Sequence, residues 1–207
     1  IALERSGPIS IAQHEFPLHR EINRPADEQW DTRLSEGSKV TPLDDGSIRL
    51  TAARPEGTAF VAMPFNHVGF HEVAFLIESP TPQTGVFLGT KHRRHPVGFF
   101  EETVRRKRVL EFAEGRSWQT TMKVDERLTP YIPDRVWVKI RAGVNAIGIW
   151  MSHDGKRWFL ASAPIEHRHG ALTEFGIYAA HGNTPRSITL KKVELRHLPT
   201  ILQIADP

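Results

Sequence analysis

The sequence predicts an all-β fold, an antiparallel sandwich of two sheets, and three observations carry that prediction. Apolar and polar residues alternate with the period of two that a half-buried strand requires, most clearly over 136–162, VWVKIRAGVNAIGIWMSHDGKRWFLAS. Turn-forming runs such as RPEG, SPTPQ and HGNTP cut the chain into strand-length pieces. No window carries a sustained helical stripe, which excludes a parallel sheet with crossover helices and leaves about ten to twelve short strands.

Residues 1–45, with Pro8, Pro17, Pro25, Trp30 and Pro42, keep no period and read as an irregular lead-in packed on the sandwich. Strands are expected over 47–52, 58–64, 72–78, 85–90, 97–103, 109–114 and 119–124. Three more lie in 136–162, and the last two are expected over 174–180 and 187–196. The sandwich therefore occupies 46–207, and lead-in and sandwich form one structural domain overall. No repeat of solenoid or propeller period is present.

Within 136–162, Val136, Val138, Ile140 and Ala142 alternate with Trp137, Lys139, Arg141 and Gly143. Ile147, Ile149 and Met151 alternate in the same way with Gly148, Trp150 and Ser152. If Val144 and Asn145 are the central turn residues, Ile140 falls opposite Ile149, Val138 opposite Met151 and Lys139 opposite Trp150, so the apolar faces coincide. Asp154–Gly155 is the stronger hairpin signal, since a type I′ turn needs positive φ and glycine accepts it freely. As a two-residue turn it sets Met151 against Trp158 and Ile149 against Leu160. The face away from this apolar layer then carries Trp137, Lys139, Arg141, Trp150, Ser152, Arg157 and Phe159. Two readings of that face are open. Aromatic rings flanked by Lys, Arg and Ser suit the C–H side and hydroxyls of a sugar ring. Alternatively the lead-in, a loop or a partner chain covers the aromatics as a second core, with Lys139 and Trp150 forming only a cation–π pair.

The composition is ordinary for a globular chain: 207 residues, 39% hydrophobic, 25% charged and a formal charge of +3. The longest apolar runs are strand-sized, so no transmembrane helix or membrane insertion is expected. The small excess of bases is not a nucleic-acid-scale field, and no nucleic acid is expected as a partner. Without cysteine there are no disulfides or thiolate metal sites. A chain opening on Ile1 instead of an initiator methionine reads as a processed or excised piece, expected in an extracellular or periplasmic setting.

Three runs, DDGSIRL at 44–50, VWVKIRAG at 136–143 and SHDGKRW at 152–158, resemble the concanavalin A-like lectin and glucanase superfamily, a jelly roll of two curved sheets. The last is similar to the S-x-D-G-x-x-W hairpin common in laminin-G-like and related bacterial sandwich domains. The resemblance covers about 44–198 and is specific to the superfamily, not to one activity. It implies glycans as the first ligand class, engaged on the concave sheet. It also implies a structural calcium, for which Asp44, Asp45 or Asp154 would supply oxygens; no other cofactor is expected.

Enzymatic signatures are thin. A glycosidase needs two carboxylates about 5–10 Å apart. The Glu-x-Asp-x-x-Glu strand of laminarinase-type enzymes is absent, and strand parity leaves Glu101 with Glu111 as the one pair on a shared side, with RRKR between them favouring a salt-bridged surface. Among the 11 histidines, His167-x-His169 and His92-x-x-His95 lack an evident third ligand, and Phe75 stands where a zinc protease would place the second histidine after His71–Glu72, so no metal site is assigned. The basic runs 92–95 and 105–108 are separated by one strand, roughly 20 Å at strand rise, and read as solvated hairpin tips. Phosphate-loop, dinucleotide and serine-nucleophile motifs are absent. The expected function is a non-catalytic carbohydrate-binding or adhesion-type module of a larger exported protein, binding a glycan or polysaccharide. A glycoside hydrolase-like enzyme and an interaction domain docking a neighbouring domain are the alternatives.

Overall fold

A computed structural model describes residues 19–53, 58–64, 70–89, 94–102, 107–113, 120–123, 133–142, 146–161, 165–166, 173–180 and 184–198. Among these residues the strands are β1 (His19–Ile22), β2 (Asp31–Leu34), β3 (Ser38–Pro42), β4 (Ile48–Ala52), β5 (Ala59–Pro64), β6 (Phe70–Glu78), β7 (Thr84–Gly89) and β8 (Arg94–Glu102). They continue as β9 (Lys107–Ala113), β10 (Thr120–Lys123), β11 (Arg135–Ala142), β12 (Ala146–Ser152), β13 (Phe159–Leu160), β14 (Ile165–Glu166), β15 (Glu174–Ala179) and β16 (Arg186–Leu198). One sheet runs β13-β12-β11-β6-β16-β4-β3, with β1 added on β16 and β14 on β12. The other runs β10-β9-β8-β7-β15-β5-β2. The two form an all-β antiparallel sandwich, and every expected strand overlaps one of these elements.

Alternation decides what lies between the sheets. Val73, Phe75 and Ile77 of β6, Val136, Val138 and Ile140 of β11, Ile147 and Ile149 of β12, and Ile188, Leu190 and Val193 of β16 all point inward from the nine-stranded sheet. They meet Val61, Val86, Leu88, Phe175 and Ile177 from the seven-stranded one. Each of these side chains is fully removed from water, a burial that contributes about 1.5–3 kcal/mol per large aliphatic or Phe side chain. Phe75 meets Phe175 across the core with ring centroids 6.2 Å apart, and Trp30 lies edge-on to Phe175 at the same spacing.

Trp30 belongs to the lead-in, where the structure departs from an irregular wrap. Residues 19–45 hold β1, β2 and β3 and a short 3₁₀ turn, Pro25–Asp27, and they insert Ile22 into the core. The Trp30 indole N–H donates to the Pro25 carbonyl at 2.7 Å, tying this turn to the core. These strands escape a period-2 reading because they are short edge or add-on strands with few buried positions. Residues 1–18 lie outside the described part of the chain.

The first hairpin has the expected register: Ile140 pairs with Ile149, Val138 with Met151 and Lys139 with Trp150. Its turn, Val144–Asn145, lies outside the described residues. The second hairpin does not. Met151 pairs with Phe159, not Trp158, and Trp150 with Leu160. A slip of one residue exchanges faces, so Trp158 joins Trp137 and Lys139, and Phe159 leaves them. Glu101 and Glu111 also separate. Glu101 pairs with Arg108 and Glu111 with Gly98, and positions 108 and 111 of one strand have opposite parity.

Candidate functional site

Three central strands of the nine-stranded sheet build the candidate surface on its outer side. The register sets Glu72 beside Arg141, Ala74 beside Lys139 and Trp150, and Leu76 beside Trp137 and Ser152. The sequence-derived residues Trp137, Lys139, Arg141, Trp150 and Ser152 are therefore brought together. Four of them are buried: Lys139, Arg141 and Ser152 have little exposure, and Trp150 is 1% exposed. The middle of the face is a second packed layer, and Trp150 offers no open ring to a ligand. Trp137 and Trp158 are half-buried at its border, edge to face with centroids 6.4 Å apart.

Inside that layer two cations share the Glu72 carboxylate. Both Nε and Nη2 of Arg141 donate to Glu72 Oε2, at 2.9 and 2.7 Å, and Lys139 Nζ lies 3.7 Å from the same oxygen. Lys139 also sits between two indoles, 4.3 Å from the Trp158 centroid and 5.3 Å from that of Trp150, while the Arg141 guanidinium lies 5.0 Å from Trp150. Burial pushes the Lys139 ammonium below the usual lysine range; the Glu72 charge opposes that shift, and Arg141 and Arg196 reinforce it. Glu72 was the residue missing from the sequence reading. Its alternation with Val73 on β6 was legible, but its pairing with β11 joins strands more than fifty residues apart.

The connection from β12 to β13 explains the slipped register. Ser152 Oγ accepts N–H bonds from Gly155 at 2.9 Å and Asp154 at 3.3 Å. Asp154 Oδ1 in turn accepts from the Ser152 hydroxyl at 3.0 Å and from the backbone N–H groups of Lys156 and Arg157 at 2.8 and 2.9 Å. The side chains thus organise a loop over 153–158 where a two-residue turn was expected. Gly155 has φ +74° and lies under Trp137; a Cβ there would come 2.9 Å from the indole nitrogen. Arg157 is exposed in this loop, and Phe159 is 54% exposed with its ring against His153 at 6.5 Å.

Two of the aspartates named for calcium, Asp45 and Asp154, are already engaged by hydrogen-bond donors. The Asp154 carboxylate is held down to about 2 by the Arg157 and Lys156 N–H bonds, so its environment is already built from donors. Asp45 receives bonds from the Ser47 N–H and hydroxyl and from the Lys191 ammonium, and is held well below the usual carboxylate range by them. Asp44 lies exposed in the same turn. Among the described residues no cluster of three His, Asp or Glu side chains could hold a metal. Glu101, Glu102 and His95 are described in backbone only, and His92, His167 and His169 lie outside the described residues.

A second feature lies on the outer side of the seven-stranded sheet. Phe60, Phe87 and Tyr178 cluster there, with Phe60 centroids 5.9 Å from Phe87 and 6.3 Å from Tyr178. Beside them Arg33 Nη2 donates to both Asp31 Oδ2 and Glu174 Oε2 at 3.0 Å, so the two carboxylate oxygens lie at most about 6 Å apart. The sequence reading missed it; the alternation of EFGIYA, which puts Glu174, Gly176 and Tyr178 on one side, is the signal that could have found it. Gly176 is required at its place, because a Cβ would fall 1.9 Å from the Val61 carbonyl oxygen.

Two antiparallel sheets with this layout make a β-sandwich of the fold seen in solved lectin domains. The VIP36 exoplasmic/lumenal domain superposes with a TM-score of 0.62 in its metal-free form, at 10% identity over 87% of this chain and 92% of that one. Its Ca2+/Man3GlcNAc-bound form gives 0.60 at 11% identity, over 88% and 90%. A lectin from Bauhinia forficata in complex with GalNAc gives 0.54 at 11% identity, over 87% and 98%. A functionally unknown protein from Saccharomyces cerevisiae gives 0.57 at 12% identity, over 81% and 93%. No protein-family model and no curated protein matches the sequence. At these identities the likeness is one of fold. No helix among the described residues is long and apolar enough to cross a membrane.

Proposed function

We propose that this chain is a non-catalytic carbohydrate-binding module of a larger exported protein, with its ligand surface at the rim of the β11–β13 sheet edge. The observation that carries this reading is the aromatic border formed by Trp137 and Trp158 with the exposed Phe159 beyond it. Flat, partly exposed rings beside polar side chains suit sugar rings. Sugar-bound lectins of the same fold support the ligand class, and a lumenal domain among them supports export. Trp150, Lys139 and Arg141 act beneath this rim as its buried support, and Ser152 and Arg157 belong to the loop that shapes it. Glycan-array screening of the wild type and of Trp158→Ala and Phe159→Ser tests the proposal. Binding that falls at least about tenfold in both variants, a loss of about 1.4 kcal/mol, supports it; an array without a bound glycan overturns it.

One observation favours a second reading, a glycoside hydrolase-like activity. Asp31 and Glu174 bracket Arg33 next to Tyr178 and Phe60, and a glycosidase works with two neighbouring carboxyl groups. Both carboxylates already pair with the shared guanidinium, which a substrate would have to displace. Release of reducing sugar from a polysaccharide panel, abolished by Glu174→Gln, would establish this activity.

A further inference from the structure

The β12–β13 loop separates its charges in an uncommon way. Its one acid, Asp154, is spent on the loop: its carboxylate takes the backbone N–H groups of Lys156 and Arg157. Those two cations are exposed, and neither forms an ion pair among the described residues. Elsewhere Arg20, Arg24, Arg33, Arg141, Lys191 and Lys192 each pair with a carboxylate. The loop ends on Phe159, one of two exposed large hydrophobics among the described residues, with the exposed His153 against its ring. Side-chain bonds to the backbone hold the two cationic positions in place before any ligand arrives, which lowers the ordering cost of binding.

We propose that the glycan taken at this rim is acidic, a polysaccharide bearing uronate or sulfate groups. Its anions meet Lys156 and Arg157 while a sugar ring packs on Phe159. A guanidinium matches a carboxylate or sulfate with two parallel bonds, and the ammonium adds a point charge beside it. This rests on the carbohydrate-binding reading above and names the ligand class of the same surface.

The test compares polygalacturonate with its methyl ester, and dextran sulfate with dextran, by titration calorimetry at about 0.15 M salt. Lys156→Glu/Arg157→Glu is the main variant. Both side chains are exposed, so it retains the fold, and unchanged circular dichroism checks this. Lys39→Glu on β3, at the far edge of the same sheet, is the control. The expected result is binding at least about tenfold tighter to a charged polymer than to its uncharged partner. The double reversal removes that advantage and Lys39→Glu leaves it intact. Equal affinity for charged and uncharged polymers overturns the acidic ligand and leaves the carbohydrate reading standing. Oligothymidylate binding as tight as that of the acidic polymers also overturns it, since charge alone would then suffice. Failure of all four polymers to bind, together with a blank glycan array, overturns both.

Discussion

Replacing Glu72 with leucine removes an anion that Arg141 and Lys139 share inside the outer layer. At 3.7 Å and an effective dielectric near 20, the Glu72–Lys139 attraction alone amounts to about 4 kcal/mol. Breaking a buried pair by deleting one partner costs about 3–5 kcal/mol, because the remaining charge stays buried. Against a total stability of about 5–15 kcal/mol this is a large fraction. With a urea slope of about 2 kcal/mol per molar, the midpoint falls by about 2 M. Urea titrations followed by circular dichroism at neutral and alkaline pH measure it. The pH arm has a definite sign. Burial already holds Lys139 below the ordinary 10.5, and loss of Glu72 removes the attraction opposing that shift. Between the lowered folded value and 10.5 the unfolded chain binds more protons, so stability rises with pH across that window, and more steeply in the variant. A further variant, Glu72→Leu/Lys139→Met/Arg141→Leu, recovers most of the loss, since a packed apolar replacement removes the charges together. A loss under about 1 kcal/mol at neutral pH, or a cost that grows on raising the pH, refutes the buried-network account.

Other perturbations test the loop and the second sheet. Gly155→Ala forces a side chain at φ +74° toward Trp137 and destabilises by about 1–2 kcal/mol, seen in thermal melts together with a shifted tryptophan emission. The stability that Asp154 contributes is present above its ordinary 3.8 and is lost as the pH falls through about 2; amide exchange at Lys156 and Arg157 accelerates across that window and does so at neutral pH in Asp154→Ala. Gly176→Ala places a Cβ 1.9 Å from the Val61 carbonyl oxygen and breaks the β5–β15 ladder, so little folded protein is recovered on expression. Phe159→Ser leaves thermal stability within about 0.5 kcal/mol, as expected of an exposed side chain outside the core.

The two hairpins show why part of the site was legible and part was not. Val138 against Met151 and Lys139 against Trp150 followed from alternation together with a two-residue turn, because a one-residue slip would turn the apolar residues of one strand away from the core. The second hairpin gave the same kind of signal and misled. Its turn type is chosen by the hydrogen bonds of Ser152 and Asp154, and they close a longer loop than Asp–Gly alone implies. That moved Trp158 onto the aromatic face and Phe159 off it. The core roles of Ile22 and of Trp30, which precedes β2, were hidden for another reason: β1 and β2 lie at sheet margins, where few side chains are buried and no period emerges.

By itself the sequence determined the class of fold, the positions of most strands and which side chains share the outer face of β11 and β12. Those properties are local, set by the pleat, which sends successive side chains to opposite sides whatever the rest of the chain does. Only the tertiary structure decided that Trp150, Lys139 and Arg141 are enclosed, that Glu72 answers their charge, and that Trp137 and Trp158 stand half-buried at the border of that face while Phe159 is exposed off it. Exposure and ion pairing depend on segments remote in sequence, and a period of two carries no information about what lies across from it.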